Sequence, residues 1–155
     1  MKKLILSSLI MATLCGCSSS DDEKKDMTYP LISDEGITAF PTDCQVYNRG
    51  EVIPFNYILS DDTELGAYNI EIHHNFDHHT HSTSAVECER DENKKPVKPW
   101  IYNRDFTIPE GTQTYNARLD IDIPTDIDPG DYHFMLRLTD RAGWQQLHSV
   151  AIKIR

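Results

Sequence analysis

Residues 123–144 read "IPTDIDPGDYHFMLRLTDRAGW", and their reading decides the fold. Pro129-Gly130 marks a turn, because proline presets one backbone angle and glycine accepts the left-handed one. After it, Tyr132, Phe134, Leu136 and Leu138 alternate with His133, Met135 and Arg137. Period two is the signature of a strand with one face in the core. "TDRAG" then signals a second tight turn. The pattern is strand, hairpin, strand, with the apolar set inward and His133, Met135 and Arg137 outward.

The same alternation recurs outward from this stretch. Ile53, Phe55, Tyr57 and Leu59 share one face, as do Tyr68, Ile70, Ile72, His74 and Phe76. Tyr115, Ala117, Leu119, Ile121 and Ile123 form another set, and Val150, Ile152 and Ile154 close the chain. Weaker strands are expected near 44–47 and 101–108. No segment sustains a 3.6-residue apolar period with caps. "NRG", "SDDTELG", "PEGT", "DPGD" and "DRAG" separate the runs. Many short strands spaced by turns imply an all-β, antiparallel β-sandwich of about seven strands. The 123–144 stretch resembles the penultimate strand and last hairpin of immunoglobulin-like domains, with Tyr132 in the place of their corner tyrosine. The one long irregular segment is 77–99, and such a loop is often functional.

The N-terminus speaks to compartment. Lys2 and Lys3 precede an apolar run from Leu4 to Leu14, too short to span a bilayer and typical of an export signal. "LCGC" at 14–17 resembles the lipobox of bacterial lipoproteins, which makes Cys17 the lipidated first residue after a signal at 1–16. "SSSDDEKKD" follows, too polar to pack, so 17–35 reads as a lipidated tether and 36–155 as one domain. "SDDE" resembles the acidic export signal of Bacteroides-type surface lipoproteins. The expected location is the outer membrane, facing outward, with the membrane met only through the lipid.

The net charge is −10, and loss of Lys2 and Lys3 with the signal takes it to −12. Such a chain lacks the basic footprint that nucleic acid requires. Cys44 and Cys88 remain beyond the lipobox. An even pair in an exported compartment fits a disulfide; two free thiols, or Cys88 as a soft metal ligand, are the other readings.

Five of the seven histidines fall in "HHNFDHHTH", residues 73–81. Imidazole suits zinc, copper and nickel, and a carboxylate can complete such a site. His73 and His74 face opposite sides of a strand. By parity His74 goes with Ile72 and Phe76 toward the core and His73 points out. Asp77 suits a turn, after which His79 and His81 share a side as an H-x-H pair. His73, His79 and His81 make the simplest three-nitrogen site, with Asp77 as a fourth ligand or as a group orienting one ring. His133 is a further candidate ligand, outward on a strand expected to neighbour that of His73, and Met135 shares its face with a thioether that would suit Cu(I). His148 reads as unrelated.

The whole of 41–155, and "IHHNFDHHTH" above all, resembles an uncharacterised family of Bacteroides-type surface lipoproteins with an immunoglobulin-like domain. That resemblance implies fold and location but no activity. "HHNFDH" misses the H-x-H-x-D-H pattern of the metallo-β-lactamase fold at Asn75, and the chain lacks that fold's helices. H-E-x-x-H, G-x-S-x-G and a phosphate loop are absent from the sequence, so no enzyme is expected. The five aspartates between 120 and 131 raise calcium, but they read better as a solvated face and a turn. Two functions stay open. One is a surface lipoprotein that binds zinc or copper, with haem as a variant, and serves an outer-membrane transport complex. The other is an interaction module for a protein or glycan, using the 77–99 loop and Trp100.

Overall fold

The computed structural model describes residues 25–81, 83 and 86–155. The expected signal at 1–16 and the lipidation site Cys17 lie outside them. The described residues form eight strands and no helix: β1 Leu31–Ser33, β2 Gln45–Tyr47, β3 Val52–Ser60, β4 Leu65–His74, β5 Tyr102–Thr107, β6 Thr114–Asp122, β7 Gly130–Asp140 and β8 Gln145–Ile154. A three-stranded sheet has the order β1-β3-β6 and a five-stranded sheet the order β2-β8-β7-β4-β5. Neighbours are antiparallel except β2 and β8, which run parallel. Two such sheets face to face make an immunoglobulin-like β-sandwich.

Alternation explains the core. Ile53, Phe55, Tyr57 and Leu59 of β3 are buried against Tyr68, Ile70 and Ile72 of β4 and Phe134, Leu136 and Leu138 of β7. Phe55 holds the two sheets together, with ring centroids 6.0 Å from Tyr68 and 5.9 Å from Phe134. Each such side chain contributes about 1.5–3 kcal/mol by leaving water. Tyr132 is fully buried; its hydroxyl donates to the Asp128 carbonyl at 2.6 Å and accepts from the Trp100 amide at 3.2 Å. This corner locks the start of β7 to the strand-less segment that precedes β5. Gly130, with φ 133°, is needed there: a side chain would meet the Phe76 ring at 2.9 Å.

Two expectations change. The tether ends before residue 35, because Leu31–Ser33 pairs with β3 and Ile32 packs on the core. The outward face of β7 is also covered at its His133–Met135 end, while Arg137 stays exposed. His133 is 3 % exposed and Met135 7 %, because the described residues that follow His79, among them Thr83, Cys88 and Asp91, lie back across the five-stranded sheet. Thr83 accepts from the Ser149 amide at 2.9 Å on neighbouring β8. Asp91 binds Lys153 and Arg155 at 2.8 and 2.7 Å. A Cys44–Cys88 disulfide ties the segment to the start of β2.

Candidate metal centre

β4 and β7 pair with His73 directly opposite His133. Residues opposite each other in a ladder put their side chains on the same face, so both imidazoles stand on the outer side of the sheet. The Asn75 amide extends the ladder with a 2.7 Å bond to the Asp131 carbonyl. The chain then turns: the His78 amide donates to the Asn75 carbonyl at 3.2 Å, and His78 takes a left-handed φ of 59°. That reversal lays residues 79–81 over His73 and His133.

Four imidazoles meet there. His73 lies 5.4 Å from His79, 5.3 Å from His81 and 5.5 Å from His133, centroid to centroid. His79 and His81 are 4.9 Å apart, and both approach His133, at 5.3 and 5.5 Å. A ligand atom from each of His73, His79 and His81 lies within 4.8 Å of the others. This trio could hold a metal ion. His133 supports it from behind: its Nε2 lies 3.1 Å from the His79 carbonyl, which can only accept, so Nε2 carries the proton. Its Nδ1 is buried without a hydrogen-bond partner.

The proton positions matter most at His73 and His79, whose Nε2 atoms face each other at 3.3 Å. Asp77 Oδ1 sits 2.5 Å from His79 Nδ1, and Glu71 Oε1 lies 3.0 Å from His73 Nδ1, in ion-pair range but poorly aligned for a hydrogen bond. Asp77 draws the His79 proton to Nδ1. With the His73 proton also on Nδ1, on the side of Glu71, the two Nε2 lone pairs face each other, an arrangement that a cation between them relieves. Nitrogens bound to one tetrahedral zinc at 2.0–2.1 Å would stand about 3.3–3.4 Å apart. A carboxylate on the far nitrogen is also the usual way a ligating histidine is oriented.

Burial favours the neutral form of His73 and His133. Burial, reinforced by His79 and His81, lowers the His73 pKa against the opposing pull of Glu71. Burial pushes His133 down to about 4, with His73, His79 and His81 adding to the effect and its bond to the His79 carbonyl opposing it. The hydrogen bond from His79 lowers Asp77. Neutral imidazole is the form that ligates metal.

The other sequence candidates fall outside the trio. Asp77 orients His79, and the three atoms within reach of one another include neither Asp77 nor His133. His74 lies half-buried at the end of β4, its ring 4.8 Å from Phe76, and His78 turns toward Asp131 at 3.7 Å. Cys88 is in the disulfide and free for no metal. His148 is on the inner side of β8, 3.1 Å from the Tyr57 hydroxyl. Glu71 was passed over in the sequence reading, although it stands two residues before His73 and therefore on its face. A cavity of about 280 Å³ adjoins the centre, lined by Asn75, His79, His133, Cys88 and Lys153 among others.

No curated protein matches this chain. A family model described as "Domain of unknown function (DUF4625)" matches residues 15–155, and the chain belongs to that family.

Proposed function

We propose that the protein is a surface-anchored lipoprotein that captures or buffers zinc or copper outside the cell. His73, His79 and His81 supply the nitrogens, Asp77 and Glu71 orient two of the rings, and His133 closes the site from the sheet side. The observation that carries this reading is the pair of Nε2 atoms 3.3 Å apart, each ring with a carboxylate at its other nitrogen. Borderline metals with imidazole preference, zinc and copper, suit that donor set. Three protein ligands leave a fourth position for water or for a donor from another carrier, which suits hand-over to an outer-membrane transport complex better than tight storage. We read the site as non-catalytic: the two carboxylates beside the trio, Asp77 and Glu71, face ring nitrogens of His79 and His73. The lipobox-like "LCGC" and the acidic "SDDE" are the grounds for the anchor and the outward location.

Calorimetric titration of zinc and of copper(II) into the untagged chain tests the metal reading. Binding at about micromolar Kd or tighter, lost when His73, His79 and His81 are replaced by alanine, is expected. Intact protein that takes up neither metal refutes it and leaves the interaction module, whose features would be the 77–99 segment and the exposed Val97 and Ile101 flanking Trp100. Labelling with palmitate, lost in Cys17→Ala, tests the anchor.

A further inference from the structure

At the ends of β4 and β7 remote from the histidines, three carboxylates from distant parts of the chain meet. Asp26 comes from the segment entering the domain, Asp61 from the turn between β3 and β4, and Asp140 from the last position of β7. One oxygen of each lies within 4.8 Å of the others. Ordinary turn chemistry accounts for only one oxygen apiece. Asp140 Oδ1 accepts from the Gly143 and Trp144 amides at 2.6 and 2.8 Å. Asp61 Oδ1 accepts from the Thr63 and Glu64 amides at 2.9 and 2.7 Å. Asp26 Oδ1 accepts from the Thr28 amide at 2.9 Å.

The second oxygens are the anomaly. Asp140 is 4 % exposed, and its Oδ2 is buried with no hydrogen-bond partner; the same holds for Asp61 Oδ2. With Oδ1 held by the turns, Oδ2 is the atom left to face the cluster. A buried carboxylate oxygen without a donor is costly, and two beside a third carboxylate are more so. Among the described residues no lysine or arginine forms an ion pair with any of the three. Arg141, the next residue after Asp140, is engaged by Glu64 and Glu110. The contrast with the acidic run at 120–131 is instructive: Asp126 pairs with Lys98, Asp128 accepts the Val97 and Lys98 amides, and Asp131 pairs with Lys153. Those carboxylates have partners and need no ion.

We propose that Asp26, Asp61 and Asp140 bind calcium. Calcium takes six to eight oxygen ligands at 2.3–2.6 Å in flexible geometry, so two of its ligands can stand up to about 5 Å apart. Magnesium at 2.0–2.1 Å demands a stricter octahedron and keeps several waters, which suits three carboxylates from unrelated segments less well. Main-chain carbonyls and water would fill the remaining positions. The site clamps the entering chain onto the hairpin that follows β7, where the Trp144 indole already donates to the Asp26 carbonyl at 3.1 Å and packs at a tilt against the Tyr29 ring, centroids 4.8 Å apart. It is independent of the histidine reading, because calcium has little use for imidazole nitrogen.

Terbium luminescence tests the proposal on the full chain, since Trp144 is placed to sensitise an ion at Asp26. A saturable signal displaced by calcium is expected, with calcium affinity in the range of extracellular modules, about 10⁻⁴–10⁻³ M. Asp140→Asn and Asp61→Asn keep the Oδ1 acceptor and should weaken binding at least about tenfold. Should either variant fail to fold, Asp26→Asn, which touches no strand, carries the same expectation. The proposal is overturned by absence of calcium binding up to about 10 mM, well above that range. It is equally overturned by unchanged binding in Asp26→Asn, by magnesium competing as well as calcium, or by loss of the signal in the variant lacking His73, His79 and His81.

Discussion

The paired strands β4 and β7 end in two different chemistries. At one end His73 and His133 face each other across the ladder, and His79 and His81 fold back over them. At the other, about 23 Å away by strand length, Asp140 meets Asp61 and Asp26. Each end gathers groups of one kind and leaves buried polar atoms unpartnered, His133 Nδ1 at the first and Asp140 Oδ2 and Asp61 Oδ2 at the second. The donors differ in kind: neutral nitrogens suit borderline metals, carboxylate oxygens suit hard cations. They differ also in origin. Three of the four histidines come from one nine-residue stretch, whereas the three aspartates are spread over more than a hundred residues. A site built from local sequence can be seen before folding, and one built from scattered residues cannot.

The sharpest way to break the comparison is to remove one end. Replacing His73, His79 and His81 together by alanine should weaken zinc or copper at least about a thousandfold, read by calorimetry, and leave calcium affinity unchanged. Cys88→Ser should cost about 2–4 kcal/mol of stability in urea unfolding, since the bond closes a long loop. It frees the segment over the histidine end, so zinc affinity should fall while the carboxylate end is spared. Asp77→Asn keeps the turn but not the charge on His79 Nδ1, and should lower metal affinity about 10–100-fold.

The smallest effect belongs to His148, which lies at neither end. Burial lowers its pKa from the ordinary 6.5, against the opposing pull of Asp43 and Asp34. Above that value folded and unfolded chains are both neutral there and stability is flat. Below it the unfolded chain takes up a proton that the folded one resists, so stability falls as the pH drops. The melting temperature of the native protein should decline on going below pH 6.5 by slightly more than that of His148→Gln. An identical decline in both would remove His148 from the account.

Much of the histidine end was legible. Parity put His73 outward and His79 with His81, and neighbouring strands brought His133 within reach. The role of Asp77 was open, because one residue's side chain can ligate or orient with equal local sequence; its Oδ1 lies 2.5 Å from His79 Nδ1, the geometry of a group that orients a ring. Glu71 shares the face of His73 by parity, but a lone carboxylate on an outward strand position looks like any solvated residue until the fold sets it 3.0 Å from the His73 Nδ1. The burial of His133 and Met135 was not legible. An outward position on a strand says nothing of what later lies across it, and here a disulfide and the Asp91 ion pairs hold the segment carrying Cys88 and Asp91 against that face. β1 was hidden for a similar reason: three residues are too few to show a period, and pairing with β3 makes them a strand.

The sequence by itself determined the longer strands, their inward faces and the density of histidine, because alternation and composition are properties of residues a few positions apart. The fold alone decided which imidazoles share a pocket with which carboxylates, that the outer face of β7 is covered at its His133–Met135 end, and that Asp26, Asp61 and Asp140 meet. Those are distances between segments far apart in the chain, set by strand register and loop closure, and no local pattern encodes them.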